Sequence, residues 1–233
     1  MPLYPVNLDI RSQLCLIIGG GIVAGRKVEA LLPCEPRILV VSPVVCQRIA
    51  DLAEKQRIEW KQRKYEQGDL AGAKLVFAAT DNRGTQEQIV AEADAAGILV
   101  NVITAPDACS FQVPATCRQG DLLITVATGG GSPALAARIR KELEGLYGPE
   151  YGLLLFLMAC VRQQVVASSA VSAEHKIIFE NLLDSDILQF IKTRQWTRLT
   201  EILGDILPSD IKVSALIKKL QTQEKTEMET LSC

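Results

Sequence analysis

The stretch Leu14–Leu32, LCLIIGGGIVAGRKVEALL, joins an apolar run to three glycines and then to a helical pattern. Residues 14–18 are apolar at every position, which is typical of a central parallel strand covered on both faces. Gly19 permits a tight turn, Gly21 lets a phosphate approach the backbone, and Ala24 is small enough for close helix-to-strand packing. This order predicts a dinucleotide-phosphate site, with a plain strand-to-helix turn as the alternative.

The composition of the chain limits the class of protein to which it can belong. A formal net charge of −2 over 233 residues argues against a nucleic-acid binder that works by bulk electrostatics, because no basic excess is present to displace counterions. The amino terminus lacks the basic and apolar regions of a signal peptide, and the longest apolar run, at 152–161, is too short to span a bilayer. We therefore expect a cytoplasmic protein without membrane or nucleic-acid partners.

Seven cysteines and one histidine limit the metal chemistry that the chain can support. The cysteines are odd in number, scattered and never spaced CxxC, so the sequence indicates neither a disulfide framework nor a zinc ribbon. Cys109, Cys117 and His175 match no metal-ligand spacing, and we expect each to have a core or surface role. The sequence predicts no resident metal site.

Strands alternate with helices through residue 103. Strands are predicted at 37–41, 58–62, 75–80 and 98–103, with helices at 44–56 and 85–96. This alternation predicts an α/β fold with a Rossmann-type, doubly wound and mostly parallel sheet.

The pattern changes after the sheet. Residues 111–118 and 122–128 are predicted as two strands joined by a tight link, with no crossover helix between them. From Tyr151 onward the pattern is helical, and we expect the tail after Gln221 to fray. The expected parts of the chain are a Rossmann domain at 1–110, a small α+β module at 111–148 and a helical domain at 149–233.

A second glycine run, Gly129–Gly131, precedes a helix. Ser132 is a favourable N-cap, Pro133 suits the first helical position, and the helix is predicted to reach about Glu144. The loop is either an anion site, suited to a substrate with many carboxylates, or simply a well-capped start of a helix. The basic residues of the helix that could pair with such carboxylates are Arg138, Arg140 and Lys141, although exposed helical charges are usually solvated.

Polar residues follow two of the predicted strands at the edge where Rossmann ligands bind. The second strand ends in Ser42 and Pro43, where such sites usually offer Asp or Glu to a ribose, so the choice between NAD and NADP is not decided here. Ser42 and the backbone at Pro43 and Val44 could still face the ribose. Thr80 and Asp81 end a later strand, and Asp81 either contacts a ligand or caps the following helix.

Several motifs occur in a defined order. They are GGGIVAGRK at 19–27, VVSP at 40–43, AATDN at 78–82, NVITAPDACSF at 101–111 and TGGGSPALAARIRKELE at 128–144. In this order they resemble the precorrin-2 dehydrogenase family, which includes the amino-terminal part of bacterial sirohaem synthases and their stand-alone relatives. The resemblance covers residues 1–150, and the helical remainder is less similar.

The resemblance implies an oxidoreductase of sirohaem biosynthesis. Members of the family oxidise precorrin-2 to sirohydrochlorin with NAD, and some then act as ferrochelatases with ferrous iron as a substrate. The resemblance also implies an intertwined homodimer that holds the tetrapyrrole between domains, with 111–148 as its dimerisation module. The expected cofactor contacts are Gly19, Gly20, Gly21, Ile22, Val23, Ser42, Pro43, Val44 and Thr80.

One position departs from the family pattern at a catalytic residue. Asn101 matches the asparagine of the family motif NVxD, but the aspartate three residues later, the proposed general base, is Thr104 here. A threonine hydroxyl cannot act as a base near neutral pH, so the reaction tolerates the loss, Asp107 or Asp81 takes the proton, or activity is reduced. The expected substrate contacts are Asn101, Thr128, Gly129, Gly130 and Ser132.

Two classes of function therefore remain open. The first is an NAD-dependent dehydrogenase, with or without iron insertion. The second is a non-catalytic sensor of a nucleotide or tetrapyrrole, in which Thr104 marks lost chemistry. A different small-substrate Rossmann reductase would explain the glycine loop but not the later motifs.

Overall fold

The computed structural model describes residues 3–167 and 172–231. The chain divides into two compact units, Met1–Val113 and Pro114–Cys233. Most of the segment 111–148 therefore shares the second unit with the helices at 149–233, although the sequence pattern separates them.

A parallel sheet forms the centre of the first unit. Its strands are β1 (Leu14–Ile18), β2 (Arg37–Val41), β3 (Glu59–Lys61), β4 (Ala73–Ala78) and β5 (Leu99–Val102). They lie in the order β3-β2-β1-β4-β5, and every neighbouring pair is parallel. The predicted Rossmann-type sheet is confirmed. The strand order reverses between β1 and β4, which is where ligands of open α/β sheets bind.

Helices cover both faces of this sheet, as its apolar strands require. They are α1 (Ile22–Leu31), α2 (Gln47–Glu54) and α3 (Arg83–Ala96). Cys15 and Ile17 of β1 pack in the cluster that contains α1 and α2, whereas Leu16 and Ile18 pack in the cluster that contains α3. Because successive side chains of a strand point to opposite faces, this division explains why β1 is apolar at every position.

Helix α2 begins three residues later than the sequence predicts. The predicted helix starts at Val44, but Cys46 is extended and its N–H donates to the Gly20 carbonyl at 2.7 Å. The Ser42 hydroxyl donates to the Val44 carbonyl at 2.7 Å. These bonds hold 44–46 against the glycine turn, and the helix can start only beyond them.

Side chains cover the outer edge of β5. The Ser110 hydroxyl accepts from the Val100 N–H at 2.7 Å, and the Cys109 thiol accepts from the Val102 N–H at 3.1 Å. Both side chains also donate back, to the Val100 and Val102 carbonyls respectively. The polar groups of this edge are therefore satisfied without a further strand, which removes a site for unwanted strand pairing.

Aromatic packing anchors the segment that follows. The Phe111 ring meets Phe77 of β4 edge-on, with 5.5 Å between centroids, and the Lys27 ammonium lies 5.5 Å from the centre of the Phe77 ring. Burial lowers the pKa of Lys27. The chain after β5 is thus held by Cys109 and Ser110 at the strand edge and by Phe111 against β4.

The second unit begins with the predicted hairpin. Strands β6 (Ala115–Gln119) and β7 (Leu122–Val126) pair antiparallel, and α4 (Pro133–Leu146) packs against them. The Ser132 hydroxyl accepts from the Leu135 N–H at 3.2 Å, which confirms Ser132 as the N-cap of α4.

The rest of the second unit is helical. Its helices are α5 (Pro149–Ala167), α6 (Ser172–Asp184), α7 (Ile187–Lys192), α8 (Trp196–Ile206) and α9 (Val213–Leu231). Leu153, Leu157, Val161 and Val165 recur every fourth residue of α5 and are at most 5% exposed, so this helix provides the central stripe of the core. No helix of the described ranges has the length and apolarity that a membrane span needs.

The expectation that the tail frays after Gln221 is wrong, because α9 continues to Leu231. Glu224 accepts from the Arg194 guanidinium at 2.7 Å, which ties this part of α9 to the segment between α7 and α8. An ion pair between residues thirty positions apart thus supports the end of a helix whose own apolar pattern is weak.

We predict that Ser110→Ala weakens the outer edge of β5. The change leaves the part-buried Val100 N–H without its acceptor, which should lower the local unfolding free energy by about 1–3 kcal/mol. Hydrogen exchange at the Val100 amide measures this effect. Thr116→Ala removes an exposed hydroxyl in the other unit and serves as the control. Unchanged exchange at Val100 in Ser110→Ala would contradict the role of Ser110.

Candidate functional site

The first two glycines of the turn between β1 and α1 are required by the fold itself. Gly19 has φ +121°, and a Cβ there would lie 2.2 Å from the Ala79 carbonyl oxygen. A Cβ at Gly20 would lie 2.0 Å from the Val44 carbonyl oxygen. The turn is therefore wedged between the chain that leaves β4 and the chain that leaves β2, and any side chain would force these segments apart.

The third glycine has no such structural requirement. Gly21 has φ −73°, and a Cβ at this position would meet no atom within 4 Å. It is the N-cap residue of α1, yet no side chain caps this helix end and no acidic residue lies in the first turn. The backbone N–H groups at the start of α1 thus face open space, which suits an anion held close to the main chain.

This open space is a cavity of about 320 Å³ at the carboxyl edge of the sheet. The expected cofactor contacts that line it are Gly19, Gly20, Gly21, Ile22, Val23, Ser42 and Thr80. Asp81 and Thr104 line it as well. A dinucleotide pyrophosphate fits this site, because the missing side chain of Gly21 leaves room for it beside the end of a helix.

The end of β2 is more enclosed than the sequence suggests. Ser42 is 7% exposed, its hydroxyl hydrogen is donated to the Val44 carbonyl, and its carbonyl accepts from the Trp60 indole at 2.9 Å. Pro43 and Val44 are not among the residues that line the cavity, and the Val44 side chain is 76% exposed. Because the Ser42 hydroxyl already donates its hydrogen, it could only accept a hydrogen bond from a ribose hydroxyl.

A buried glutamine links two of the cavity residues. Gln86 of α3 is 7% exposed; its amide nitrogen donates to the Thr80 carbonyl, and its amide oxygen accepts from the Thr104 hydroxyl at 3.0 Å. Our sequence interpretation missed Gln86 because a single glutamine in a helix is normally a surface residue. A usable signal was its spacing, since it lies three and seven residues before the buried Ile89 and Ala93.

Asp81 does not cap the helix that follows it. The Asn82 side chain accepts from the Thr85 N–H at 2.8 Å and is the N-cap of α3. The alternative of a capping role for Asp81 is therefore wrong, and its carboxylate is exposed at the cavity.

Two other residues expected at the site lie outside the residues that line the cavity. The Asn101 amide donates to the Phe111 carbonyl at 3.0 Å and thereby helps to hold the chain after β5. Asp107 is exposed in a short turn, Pro106–Ala108. Asn101, Cys109 and Ser110 thus serve the sheet edge and the chain that follows it.

The second glycine loop is closed by the Thr128 hydroxyl, which bonds to the Ser132 backbone. Thr128 donates its hydroxyl to the Ser132 carbonyl at 3.1 Å and accepts from the Ser132 N–H at 3.2 Å. Gly129 and Gly130 have φ values of +59° and +82°, which favour glycine whether or not a ligand binds. On the following helix, Arg138 pairs with Glu142 and Arg140 pairs with Glu144.

The residues considered as metal ligands lie on separate elements. Cys109 follows β5, Cys117 is buried in β6, and His175 belongs to α6. Within the part of the chain that the structure describes, no three His, Cys, Asp or Glu side chains group as metal ligands would.

Two models of known protein families match successive parts of the chain. Residues 6–115 match the family model described as NAD(P)-binding, and residues 119–146 match the model described as sirohaem biosynthesis protein central. The first unit is therefore a domain of the NAD(P)-binding type, with a nicotinamide cofactor as its ligand.

The chain is also similar to curated siroheme synthases. The siroheme synthase of Nitrosococcus oceani is 33% identical over 191 residues, which are 82% of this chain and 41% of that protein. That of Nitrosomonas eutropha is 34% identical over 192 residues, which are 82% of this chain and 40% of that protein. The chain thus spans about two fifths of the length of these relatives.

A solved structure has the same fold along most of the chain. It is that of SirC, a precorrin-2 dehydrogenase, with a TM-score of 0.72 and 24% sequence identity, and the match covers 88% of this chain and 98% of that one. The parallel sheet, the small hairpin and the helical region are therefore a known combination. The chain is therefore similar to siroheme synthases over 82% of its own length and shares its fold with SirC.

Proposed function

We propose that this chain oxidises precorrin-2 to sirohydrochlorin, with NAD as the hydride acceptor, and that it works as a homodimer in sirohaem biosynthesis. The observation that carries this proposal is the open Gly21 position, because a Cβ there would meet no atom of the protein while the start of α1 lines the cavity. The names of the relatives, siroheme synthase and precorrin-2 dehydrogenase, support the choice of substrate.

We assign different parts of the cofactor to different strands of the sheet. The start of α1 would hold the pyrophosphate at Gly21, Ile22 and Val23. The β2 end, at Ser42, Pro43 and Val44, would face the adenosine. When bound, NAD supplies the electrophilic ring that accepts a hydride from the macrocycle. Choosing NAD over NADP follows the family, since the β2 end carries no charged residue to decide between them.

The proton released in the oxidation needs an acceptor. Asp81 is the carboxylate among the residues that line the cavity, whereas Asp107 lies outside that set. The Thr104 hydroxyl already donates to Gln86 and cannot act as a base near neutral pH. We therefore assign the proton to Asp81, with Asp107 as the alternative.

The other residues expected at the substrate follow from the resemblance. Asn101 and the loop that contains Thr128, Gly129, Gly130 and Ser132 would contact the carboxylates of precorrin-2. Insertion of ferrous iron into the product is the second activity that the resemblance implies, and adding ferrous iron to the dehydrogenation assay tests it.

A sensor is the competing function, and Thr104 is the observation that favours it. A family member without its carboxylate at this position could bind the nucleotide or the tetrapyrrole without turning it over. The assays below separate binding from turnover.

We predict that Gly21→Asp abolishes NAD binding and leaves the fold intact. Aspartate is a good N-cap, so the start of α1 should not be destabilised, but its charge lies where the phosphates must bind. We expect affinity to fall more than about 100-fold, because facing like charges cost several kcal/mol. Calorimetric titration with NAD measures the loss, and circular dichroism checks the fold.

Gly84→Asp is the matched control for this experiment. It adds the same charge near the start of α3, outside the cavity lining, where a Cβ would lie 3.5 Å from the Asn82 side chain. This variant should bind NAD as the parent does. Equal NAD affinity in the parent and in Gly21→Asp would make the glycine loop a purely structural turn.

We predict that the protein is a dimer. Leu122, Leu123, Ile124 and Val126 of β7 are all half-buried in the single chain, and an isolated two-stranded ribbon is only marginally stable. A second copy of the hairpin would complete the sheet. Light scattering at micromolar concentration should give about twice the 25.4 kDa mass of one chain, and the mass of a single chain would contradict the prediction.

We predict that Asp81→Asn lowers the rate of NADH formation from precorrin-2 under anaerobic conditions. The expected loss is about 10²- to 10⁴-fold, which is typical of a positioned general base. Asp107→Asn, the control, should change the rate little. Thr104→Asp should recover part of the loss in the Asp81→Asn background, since it returns a carboxylate to the cavity.

The same assay decides between the two functions. A large loss in Asp107→Asn with none in Asp81→Asn would move the proton acceptor to Asp107. A parent that binds NAD but gives no turnover, and whose Thr104→Asp variant is equally inert, would refute the dehydrogenase and leave the sensor.

A further inference from the structure

The hydrogen bonds of Gln86 have a direction that the chemistry of its partners fixes. The Thr80 carbonyl can only accept, so the amide group of Gln86 must turn its nitrogen toward it. The amide oxygen of Gln86 then faces Thr104. Because that oxygen can only accept, the Thr104 hydroxyl must donate its single hydrogen to Gln86.

The surroundings of Gln86 keep this arrangement in place. Gln86 is 7% exposed and lies on the buried face of α3 with Ile89 and Ala93. A buried amide is costly unless its polar atoms are bonded, and rotation of the amide group would set its oxygen against the Thr80 carbonyl oxygen. The Thr80 carbonyl therefore fixes the orientation of Gln86, and Gln86 in turn fixes the direction of the Thr104 hydrogen bond.

Thr104 consequently can only accept hydrogen bonds from the cavity. Its hydrogen is used on Gln86, and the lone pairs of its oxygen remain for a ligand. A ligand group at Thr104 must therefore be a donor, either N–H or O–H. A ligand carbonyl or carboxylate at the same place would be repelled.

The sheet order indicates which end of the cofactor Thr104 meets. Adenosine lies toward β2 in a Rossmann site, and the nicotinamide lies on the opposite side of β1, toward β4 and β5. Thr104 comes two residues after the end of β5. Two N–H donors could be present at this end: the carboxamide of the nicotinamide and a pyrrole of the macrocycle.

We propose that Gln86 is a positioning residue that fixes Thr104 as a hydrogen-bond acceptor for an N–H donor at the nicotinamide end of the cavity. This inference rests on the proposed function for the identity of the ligands. It gives Thr104 a role in binding that does not require it to act as a base, and it gives the buried amide of Gln86 a reason to be polar.

The test compares two cofactors that differ at the donor. The 3-acetylpyridine analogue of NAD carries a methyl group where the carboxamide carries its NH2, so it keeps the carbonyl and lacks the N–H donor. Calorimetry gives the affinity ratio of NAD to the analogue for the parent, Thr104→Val and Thr104→Ser. We expect Thr104→Val to lower this ratio about three- to tenfold, the value of one neutral hydrogen bond, and Thr104→Ser to preserve it.

Gln86→Met tests the positioning role. It removes the acceptor that fixes the Thr104 hydroxyl, so the hydroxyl can turn its hydrogen toward a ligand carbonyl, and the ratio should fall as in Thr104→Val. Gln86→Glu in its protonated form donates its O–H to the Thr80 carbonyl, keeps an acceptor toward Thr104 and should preserve the ratio when the affinities are measured at a pH where this carboxyl is protonated. A purely structural role would change both affinities equally and leave their ratio unaltered.

A second measurement distinguishes the two sources of the N–H group. If the donor is a pyrrole, Thr104→Val and Gln86→Met should raise the KM for precorrin-2 while the cofactor ratio stays at the parent value. Either pattern supports the inference. It is overturned if Thr104→Val changes neither quantity, or if Gln86→Met folds and leaves both unchanged; if Gln86→Met does not fold, a changed ratio in Gln86→Glu overturns it.

The same measurements distinguish a failure of the proposed function from a failure of the role of Gln86. A parent that binds NAD with the expected ratios but does not oxidise precorrin-2 would refute the dehydrogenase and leave the role of Gln86 standing. Turnover with unchanged ratios and an unchanged KM in every variant would refute the role of Gln86 alone. A parent that binds neither nucleotide would refute both.

Discussion

The turn between β1 and α1 touches the backbone of both neighbouring strand ends, and the geometry of the cavity follows from these contacts. Gly19 lies against the Ala79 carbonyl, and Gly20 lies against the Val44 carbonyl. No side chain can be inserted at either contact without separating β1 from β4 or from β2. The start of α1 is thereby held at the one edge of the sheet where the strand order reverses, and ligand-binding groups can collect there.

Much of the fold could be predicted because it depends on local pattern. A strand that is apolar throughout, as at 14–18, has to be covered on both faces, and the alternation of strands with helices leaves few other arrangements. The glycine turn and the N-cap at Ser132 were equally visible, since each depends on residues a few positions apart. The start of α2 and the length of α9 were predicted wrongly because distant bonds, from Cys46 to Gly20 and from Arg194 to Glu224, decide them.

The candidate site likewise has one part that local sequence predicts and one part that it does not. Its glycine turn is a sequence motif, whereas the link from Thr80 through Gln86 to Thr104 joins three separate segments and has no local signature. The segment 101–111 gave a misleading signal for a related reason. Its small polar side chains suit a ligand, but Cys109 and Ser110 are used to complete the edge of β5, and a sequence does not distinguish a backbone partner from a ligand.

The three consecutive glycines of the turn are subject to unequal evolutionary pressure. Positions 19 and 20 would have to stay glycine in any descendant that keeps this sheet, whatever that descendant does. Position 21 is different, because the fold leaves room for a side chain there and only the proposed ligand would require glycine. A lineage that abandoned its nucleotide would be released at 21 first, and a side chain acquired there, beside two unchanged glycines, would date the loss of binding while the architecture persisted.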